Sequence, residues 1–82
     1  MIKENIMRKQ VLEVLSMAAP SVDFESSNAL SDDGIIDSLT VVNIIAELSI
    51  EFGISVPFEE ISPENFNSVD SITAMVQRLM NE

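Results

Sequence analysis

The stretch DDGIIDSLTVVNIIAELSIEFG, residues 32–53, decides the fold prediction because it joins a turn, a helix start and a long apolar helix. Gly34 fits a tight turn, and Asp37 is a residue type that caps helix N-termini. From Ser38 to Phe52 apolar side chains cover most of the helix circumference. The polar residues fall on one narrow stripe: Thr40, Asn43, Glu47 and Glu51. We therefore predict a central helix over 38–52 with only that stripe exposed.

The same stretch also contains a signal for a strand. The β-branched pairs Val41-Val42 and Ile44-Ile45 are frequent in strands. The length of the segment and the regular polar stripe favour the helix instead. Gly53 is well placed to end it in a left-handed cap.

Upstream of this stretch, residues 2–18 are predicted to form an amphipathic helix. Apolar residues recur there at spacings of three and four: Ile2, Ile6, Met7, Val11, Leu12, Val14, Leu15 and Met17. The solvent-facing side of this predicted helix carries Lys3, Glu4, Arg8, Lys9 and Glu13. Pro20 stops this helix soon after Ala19.

A long connection, residues 19–37, joins the two helices and is rich in Ser, Asp and Asn. Connections of this length are uncommon in compact domains and are often functional. We expect Val22, Phe24 and Leu30 to tuck against the bundle.

After Gly53 the chain should run extended through 55–57, because the residue before Pro57 avoids the helical region. Residues 62–66 read as one helical turn, capped by Ser62 and with Pro63 at its first position. The last helix begins near Ser68, which can cap it, with Asp70 in the first turn. Its buried stripe is Val69, Ile72, Met75, Val76 and Leu79.

These elements predict an all-α fold, a small bundle of three main helices plus one short helix, in a single domain over residues 1–82. Four Lys/Arg stand against fourteen Asp/Glu, for a net charge of -10. Such a surface repels nucleic acid and anionic membranes and attracts basic protein partners. The alternative is that the charge only maintains solubility.

The N-terminal segment MIKENIMRKQ is too polar for a signal peptide, and no apolar run approaches a membrane span. We therefore expect a cytoplasmic protein without direct membrane insertion.

The chain lacks the residues of most catalytic and metal sites. It has no histidine and no cysteine, which excludes a Ser-His-Asp triad, thiolate chemistry and a typical zinc site. Asp32, Asp33 and Asp37 cluster, but a loop starting at Asp32 fails the EF-hand spacing, so no metal site is predicted. Carboxylates are abundant, yet a small bundle with no evident pocket gives them nowhere to act. We do not expect catalysis by this chain alone.

Ser38 is the remaining candidate for a chemically functional residue, as an attachment point for another enzyme. At the first turn of a helix capped by Asp37, its hydroxyl would stand at the surface beside the positive helix end. That field and the free backbone N–H groups would favour a phosphoester. Asp-Ser is also a common way to start a helix, and taken alone the dipeptide leaves both interpretations open.

The wider arrangement is more specific. A glycine-containing acidic turn and two apolar residues precede Asp37-Ser38-Leu39, which opens the apolar helix; Val56-Pro57, Glu60, Phe66-Asn67 and a final amphipathic helix follow. This order resembles the acyl carrier protein family, and most closely the D-alanyl carrier proteins of teichoic acid modification. The resemblance covers nearly the whole chain and needs no gap from about Leu30 onward.

In that family the motif serine carries 4′-phosphopantetheine, which a separate transferase moves from coenzyme A. The thiol of this arm then holds an acyl or aminoacyl group as a thioester. The resemblance implies that Ser38 is the attachment site, which would make the chain a phosphoprotein. It implies that Asp37 helps the transferase bind its metal ion and that Leu39 contacts the transferase. The chain would be a carrier subunit and not an enzyme.

The second helix departs from the family pattern. Fatty-acid carriers usually present several acidic residues there, whereas this stripe carries Asn43 and Ser49 with Ile50 close to it, although Glu47 remains. We hypothesise that Asn43, Glu47 and Ile50 help to recognise partners, partly by apolar contact. The alternative is that Ile50 packs under the 58–66 segment.

The resulting expectation is a monomeric carrier of an aminoacyl or short acyl group. Its partners would be a phosphopantetheinyl transferase, an acyl- or aminoacyl-loading ligase and a downstream acyltransferase or synthase. The rival from another class is an acidic helical adaptor that binds a basic protein without a cofactor. A degenerate carrier is a third possibility, but a disused site has no physical reason to retain Asp37-Ser38-Leu39.

Overall fold

The computed structural model describes residues 2–81, with side chains described from Ile6 onward. The places of Ile2, Lys3 and Glu4 on the first helix therefore lie outside the described side chains. The elements are α1 (Ile2–Ala18), α2 (Ser38–Phe52), a 3₁₀ turn (Phe58–Glu60), α3 (Pro63–Phe66) and α4 (Val69–Met80). No strand occurs in this part of the chain, and the all-α bundle with one short helix is confirmed.

Local residues set the ends of α2 as predicted. Asp37 caps its N-terminus, and Gly53 ends it with φ 64°, ψ 36° while its N–H donates to the Ser49 carbonyl oxygen at 3.0 Å. A left-handed backbone at this point suits glycine because it has no Cβ to clash. The helix therefore spans 38–52, the predicted range.

The caps of the two C-terminal helices differ from each other. The Ser68 hydroxyl accepts from the Ser71 N–H at 3.0 Å and starts α4 as predicted. Ser62 precedes Pro63 at the start of α3, but its side chain makes no capping hydrogen bond. Ser62 does occupy the predicted N-cap position, but its backbone carbonyl oxygen, and not its hydroxyl, accepts from the Asn65 N–H at 3.1 Å. Pro63 stands at the first helical position as predicted.

The core lies between α1, α2 and α4, because α1 packs against both of the other long helices and α3 packs against α4. Its members are apolar side chains from every helix and from the long connection. They are Val11, Val14, Leu15, Phe24, Leu30, Ile36, Val41, Ile44, Leu48, Ile54, Phe66, Val69, Ile72, Met75, Val76 and Leu79. The expected stripe of α4 is buried, and Phe24 and Leu30 anchor the connection with Val22 packed at the margin.

The surface of α2 is more apolar than predicted. Leu39, Val42 and Ile50 are 69%, 59% and 78% exposed, whereas Glu47 is half-buried. The prediction that only a polar stripe faces solvent is wrong, because α2 packs chiefly on α1 and lightly on α4, which leaves its outer side uncovered. Met17 of α1 is likewise 72% exposed.

Two polar clusters tie distant segments together at the surface. Arg8 of α1 donates from Nε to Asp70 at 2.7 Å and from Nη1 to Glu25 at 3.0 Å, so it joins α1, the connection and α4. Glu60 accepts hydrogen bonds from Asn65 and Arg78 and holds the 3₁₀ turn against α4. Sequence separations of up to 62 residues explain why neither cluster could be predicted.

The described residues lack two features, a membrane-spanning helix and a metal-binding cluster. None of the helices there combines the length and the apolar character that a bilayer crossing demands. No three acidic side chains in this part of the chain converge closely enough to hold a metal ion.

Candidate functional site

Ser38 is the first residue of α2, and its side chain is exposed. Asp37 before it is extended, with φ -97° and ψ -178°. Its carboxylate Oδ1 accepts from the Thr40 N–H at 2.8 Å, and its carbonyl oxygen accepts from the Val41 N–H at 2.9 Å. Asp37 thus accepts two hydrogen bonds from the first turn of α2, and the Ser38 hydroxyl is left at the surface.

The Thr40 hydrogen bond also sets the charge of the cap. The backbone N–H of Thr40 stabilises the ionised carboxylate, which lowers the pKa of Asp37 below its ordinary value. Asp37 therefore stays ionised at neutral pH directly beside the Ser38 hydroxyl.

Buried neighbours fix the direction in which Ser38 points. Ile36 is buried two residues before it, and Val41 is buried three residues after it. Because both side chains enter the core, the intervening Asp37-Ser38-Leu39 is turned toward solvent. This alternation of apolar anchors and exposed residues comes directly from the sequence.

A pocket of about 450 Å³, partly open to solvent, lies beside Ser38. Its lining is mainly apolar and comes from two walls, one formed by the connection with α2 and the other by the segment around α3. The lining residues are Ser31, Gly34, Ile36, Asp37, Ser38, Val41, Val42, Ile45, Ile61, Ser62, Pro63 and Phe66. The expectation of no evident pocket is therefore wrong, because the connection with α2 and the segment around α3 enclose a gap between them.

An exposed apolar strip runs along α2 away from the core. We call it the α2 outer face and define it as Leu39, Val42, Asn43, Ala46 and Ile50, all exposed. Spacings of three and four place them on one side of the helix. The interpretation that Ile50 packs under the 58–66 segment is wrong, since its side chain faces solvent. Glu47 borders the face and is half-buried.

Sequence reasoning assigned no role to two residues, one that contacts the turn before Ser38 and one that is exposed elsewhere on the surface. Asn67 bonds to the turn before Ser38, and Phe58 is 86% exposed at the start of the 3₁₀ turn. The pairing of Asn67 with residues 35 and 36 positions away leaves no local signal. For Phe58, the preceding Pro57 indicated only an extended backbone.

The geometry fits a group tethered to Ser38. The side chain is exposed at a helix N-terminus, where backbone N–H groups and the helix dipole favour a phosphate. The adjacent pocket gives a tethered chain an apolar wall to lie against. A small all-α bundle with an exposed serine at the start of its second helix is the arrangement expected of a carrier protein.

The comparisons with known proteins identify the family. The model of the family described as "Phosphopantetheine attachment site" matches residues 5–79. The chain is 30% identical over 78 residues to a D-alanyl carrier protein of Lactococcus lactis subsp. lactis, which covers 93% of this chain and 99% of the relative. It is 34% identical over 80 residues to a D-alanyl carrier protein of Streptococcus suis, covering 98% and 96%. It is 35% identical over 72 residues to aminoacyl carrier protein 1 of Bradyrhizobium diazoefficiens, covering 88% and 79%.

The chain therefore belongs to the phosphopantetheine attachment site family. It is a carrier of acyl or aminoacyl groups whose covalent cofactor is 4′-phosphopantetheine. It serves partner enzymes, among them ligases and transferases, and is not itself catalytic.

Proposed function

We propose that Ser38 Oγ is the atom that carries 4′-phosphopantetheine, and that residues 1–82 act as one carrier domain for an aminoacyl or short acyl cargo. The observation that carries this proposal is the exposed Ser38 hydroxyl at the first position of α2, directly after the Asp37 cap. Bound there, 4′-phosphopantetheine supplies the thiol that a chain without cysteine lacks.

The chain's own residues explain why loading requires a separate enzyme. For a phosphodiester to form, Ser38 Oγ must attack the pyrophosphate of coenzyme A and lose its proton, while 3′,5′-ADP leaves. No histidine exists to take that proton, and the carboxylate of Asp37 is a weak base because its pKa is lowered. A phosphopantetheinyl transferase must therefore provide the base. Asp37, ionised beside the hydroxyl, is available to that enzyme's metal ion.

The cargo proposal rests on the relatives. D-alanyl carrier proteins and an aminoacyl carrier protein match most of the chain, which supports an aminoacyl or short acyl group over a long fatty chain. A downstream acyltransferase or synthase would then receive the group in the cytoplasm, with the carrier acting as a monomer.

We propose further that Leu39, Asn43 and Ile50 of the α2 outer face, together with Glu47 and Asp37, form the recognition surface. Leu39 and Ile50 are exposed and apolar, which suits a partner whose contacting surface is itself partly apolar. The net charge of -10 would speed the encounter with a partner whose rim is basic, such as an adenylate-forming ligase.

Intact mass spectrometry after incubation with coenzyme A and a broad-specificity transferase tests the attachment. Wild type should gain the mass of one 4′-phosphopantetheine, and Ser38→Ala should gain none. Ser62→Ala, a change of the same type in the same pocket, should gain the arm like wild type. No gain on wild type, or an equal gain on Ser38→Ala, rejects the proposal; intact partner binding by Ser38→Ala would then favour the acidic adaptor.

A further inference from the structure

The segment before Ser38 folds into a turn with its own hydrogen bonds, here called the loop turn, residues 29–36. The Asp33 N–H donates to the Ala29 carbonyl oxygen at 2.7 Å, and the Gly34 N–H to that of Ser31 at 3.1 Å. The Ile36 N–H donates to the Leu30 carbonyl oxygen at 3.1 Å. Gly34 has φ 72°, a conformation that glycine adopts without strain. The loop turn therefore delivers the chain to Asp37 and Ser38 in a defined direction.

Asn67, at the junction of α3 and α4, holds this loop turn. Its carbonyl oxygen accepts from the Leu30 N–H at 2.9 Å. Its side-chain Oδ1 accepts from the Ser31 N–H at 3.0 Å and from the Asp32 N–H at 2.9 Å. Its Nδ2 donates to Asp32 Oδ2 at 3.0 Å. The oxygen and the nitrogen of the side-chain amide thus both bond to the segment Ser31-Asp32.

Among the described residues, Asn67 alone makes these connections. Within the described residues, every hydrogen bond that ties the loop turn to a distant part of the chain goes to Asn67. The turn's remaining anchors are the buried side chains of Leu30 and Ile36 at its two ends. The polar tip between them, with Asp32, Asp33 and Gly34 exposed, depends on Asn67 for its position.

The same contacts join the two walls of the pocket beside Ser38. Ser31 and Gly34 belong to one wall, and Phe66, the residue before Asn67, belongs to the other. Asn67 therefore sets the position of the loop turn relative to α3, and with it the surroundings of the Ser38 hydroxyl.

We infer that Asn67 is a positioning residue for the modification of Ser38, acting through the loop turn that a transferase must contact. The inference rests on the proposed attachment at Ser38. Without the side-chain amide, the acidic tip samples more conformations, and only a fraction of molecules present the surface that the transferase binds. When fewer carrier molecules are competent to bind, the apparent affinity of the transferase for the carrier falls. The chemical step within the bound complex is unchanged. A purely structural role for Asn67 would instead lower stability and leave the kinetics of the folded protein as they are.

The test measures transfer from coenzyme A by one transferase onto apo carrier variants, below the onset of unfolding of each. Asn67→Ala should raise the KM for the carrier by about threefold to tenfold with kcat unchanged. Amide hydrogen exchange of Ser31 and Asp32 should speed up in the free variant, while exchange in the centre of α4 stays slow. This second readout does not depend on loading.

Asn65→Ala is the matched control, because this amide lies two residues away and bonds to Glu60 instead of the loop turn. Its KM should equal that of wild type even if its stability falls. A wild-type KM for Asn67→Ala alongside faster exchange at Ser31 and Asp32, or an equal KM rise for Asn65→Ala, would overturn the inference. If Ser38 does not carry 4′-phosphopantetheine at all, the result is distinguishable, because wild type itself would then gain no mass.

If Asn67→Ala does not fold, Asn67→Asp takes its place. It keeps an oxygen for the Ser31 and Asp32 amides but replaces the donor to Asp32 by a like charge. A raised KM with unchanged kcat is again expected, and a wild-type KM with faster exchange at Asp32 again contradicts the inference.

Discussion

The carboxylate of Asp37 and the backbone N–H of Thr40 form a hydrogen bond of 2.8 Å across the first turn of α2. Asp37 and Thr40 lie on either side of Ser38 in the sequence. The residue that caps the helix is therefore also the neighbour of the proposed attachment site. The same hydrogen bond lowers the pKa of Asp37 and so keeps its carboxylate ionised. Helix capping and site geometry are therefore one feature of the molecule.

Replacing Asp37 should show this cap in the pH dependence of stability. A carboxyl whose pKa is lower in the folded than in the unfolded state stabilises the fold above its unfolded pKa, about 4, and this contribution is lost as the pH falls through the folded pKa. Asp37→Asn keeps an oxygen acceptor but cannot titrate. The melting temperature of wild type should therefore drop more steeply below about pH 4 than that of Asp37→Asn. Parallel profiles from thermal melts would show that the cap charge does not stabilise the fold.

The long connection should contribute to stability through Leu30. Its side chain is fully buried among core residues, so Leu30→Ala should cost about 2–5 kcal/mol of unfolding free energy. Ile35→Ala, an apolar truncation in the same segment at an exposed position, should cost much less. Urea denaturation measures both, and equal losses would mean that the connection is not anchored as described.

Arg8 should contribute modestly and in a salt-dependent way. Its pairs with Asp70 and Glu25 are partly exposed, so screening limits Arg8→Met to a loss of about 0.5–1 kcal/mol at low salt. Lys9→Met removes the same charge from an exposed neighbouring position and serves as control. The difference between the two variants should shrink in about 1 M NaCl. A difference that is absent at low salt would show that the bridge does not stabilise the fold.

The α2 outer face should matter for loading and not for folding. Ile50→Glu places a charge where an apolar contact is proposed, and loading by an adenylate-forming ligase that charges wild type should fall by about tenfold. Its unfolding free energy should change by no more than about 0.5 kcal/mol, because the side chain is exposed. Met17→Glu adds the same charge at an exposed apolar position on α1 and should load normally. Wild-type loading of Ile50→Glu would exclude Ile50 from the interface.

Sequence reasoning succeeded where the information is local. Asp37 and Gly53 mark the ends of α2 through capping chemistry that depends only on neighbouring residues. The buried stripe of α4 follows from its spacing. The serine motif likewise lies within a few consecutive residues, and its context along the chain carries the family resemblance.

It failed where packing between distant segments decides the outcome. An apolar helix predicts burial, yet Leu39 and Ile50 are exposed because none of the described elements covers that side of α2. The walls of the pocket come from residues around 31–45 and 61–66, which are far apart in the chain, so periodicity does not reveal it. The Asn67 contacts join residues 35 and 36 positions apart, so only the folded chain shows them.

The most direct measurement is the location of the arm on the modified chain. Holo protein made with coenzyme A and a transferase is digested, and tandem mass spectrometry assigns the phosphopantetheinyl group to a residue. Three serines line the same pocket, Ser31, Ser38 and Ser62, so the assignment discriminates among real alternatives. The account predicts one arm per chain, on Ser38 alone; an arm on Ser31 or Ser62, or none on any serine, would contradict it.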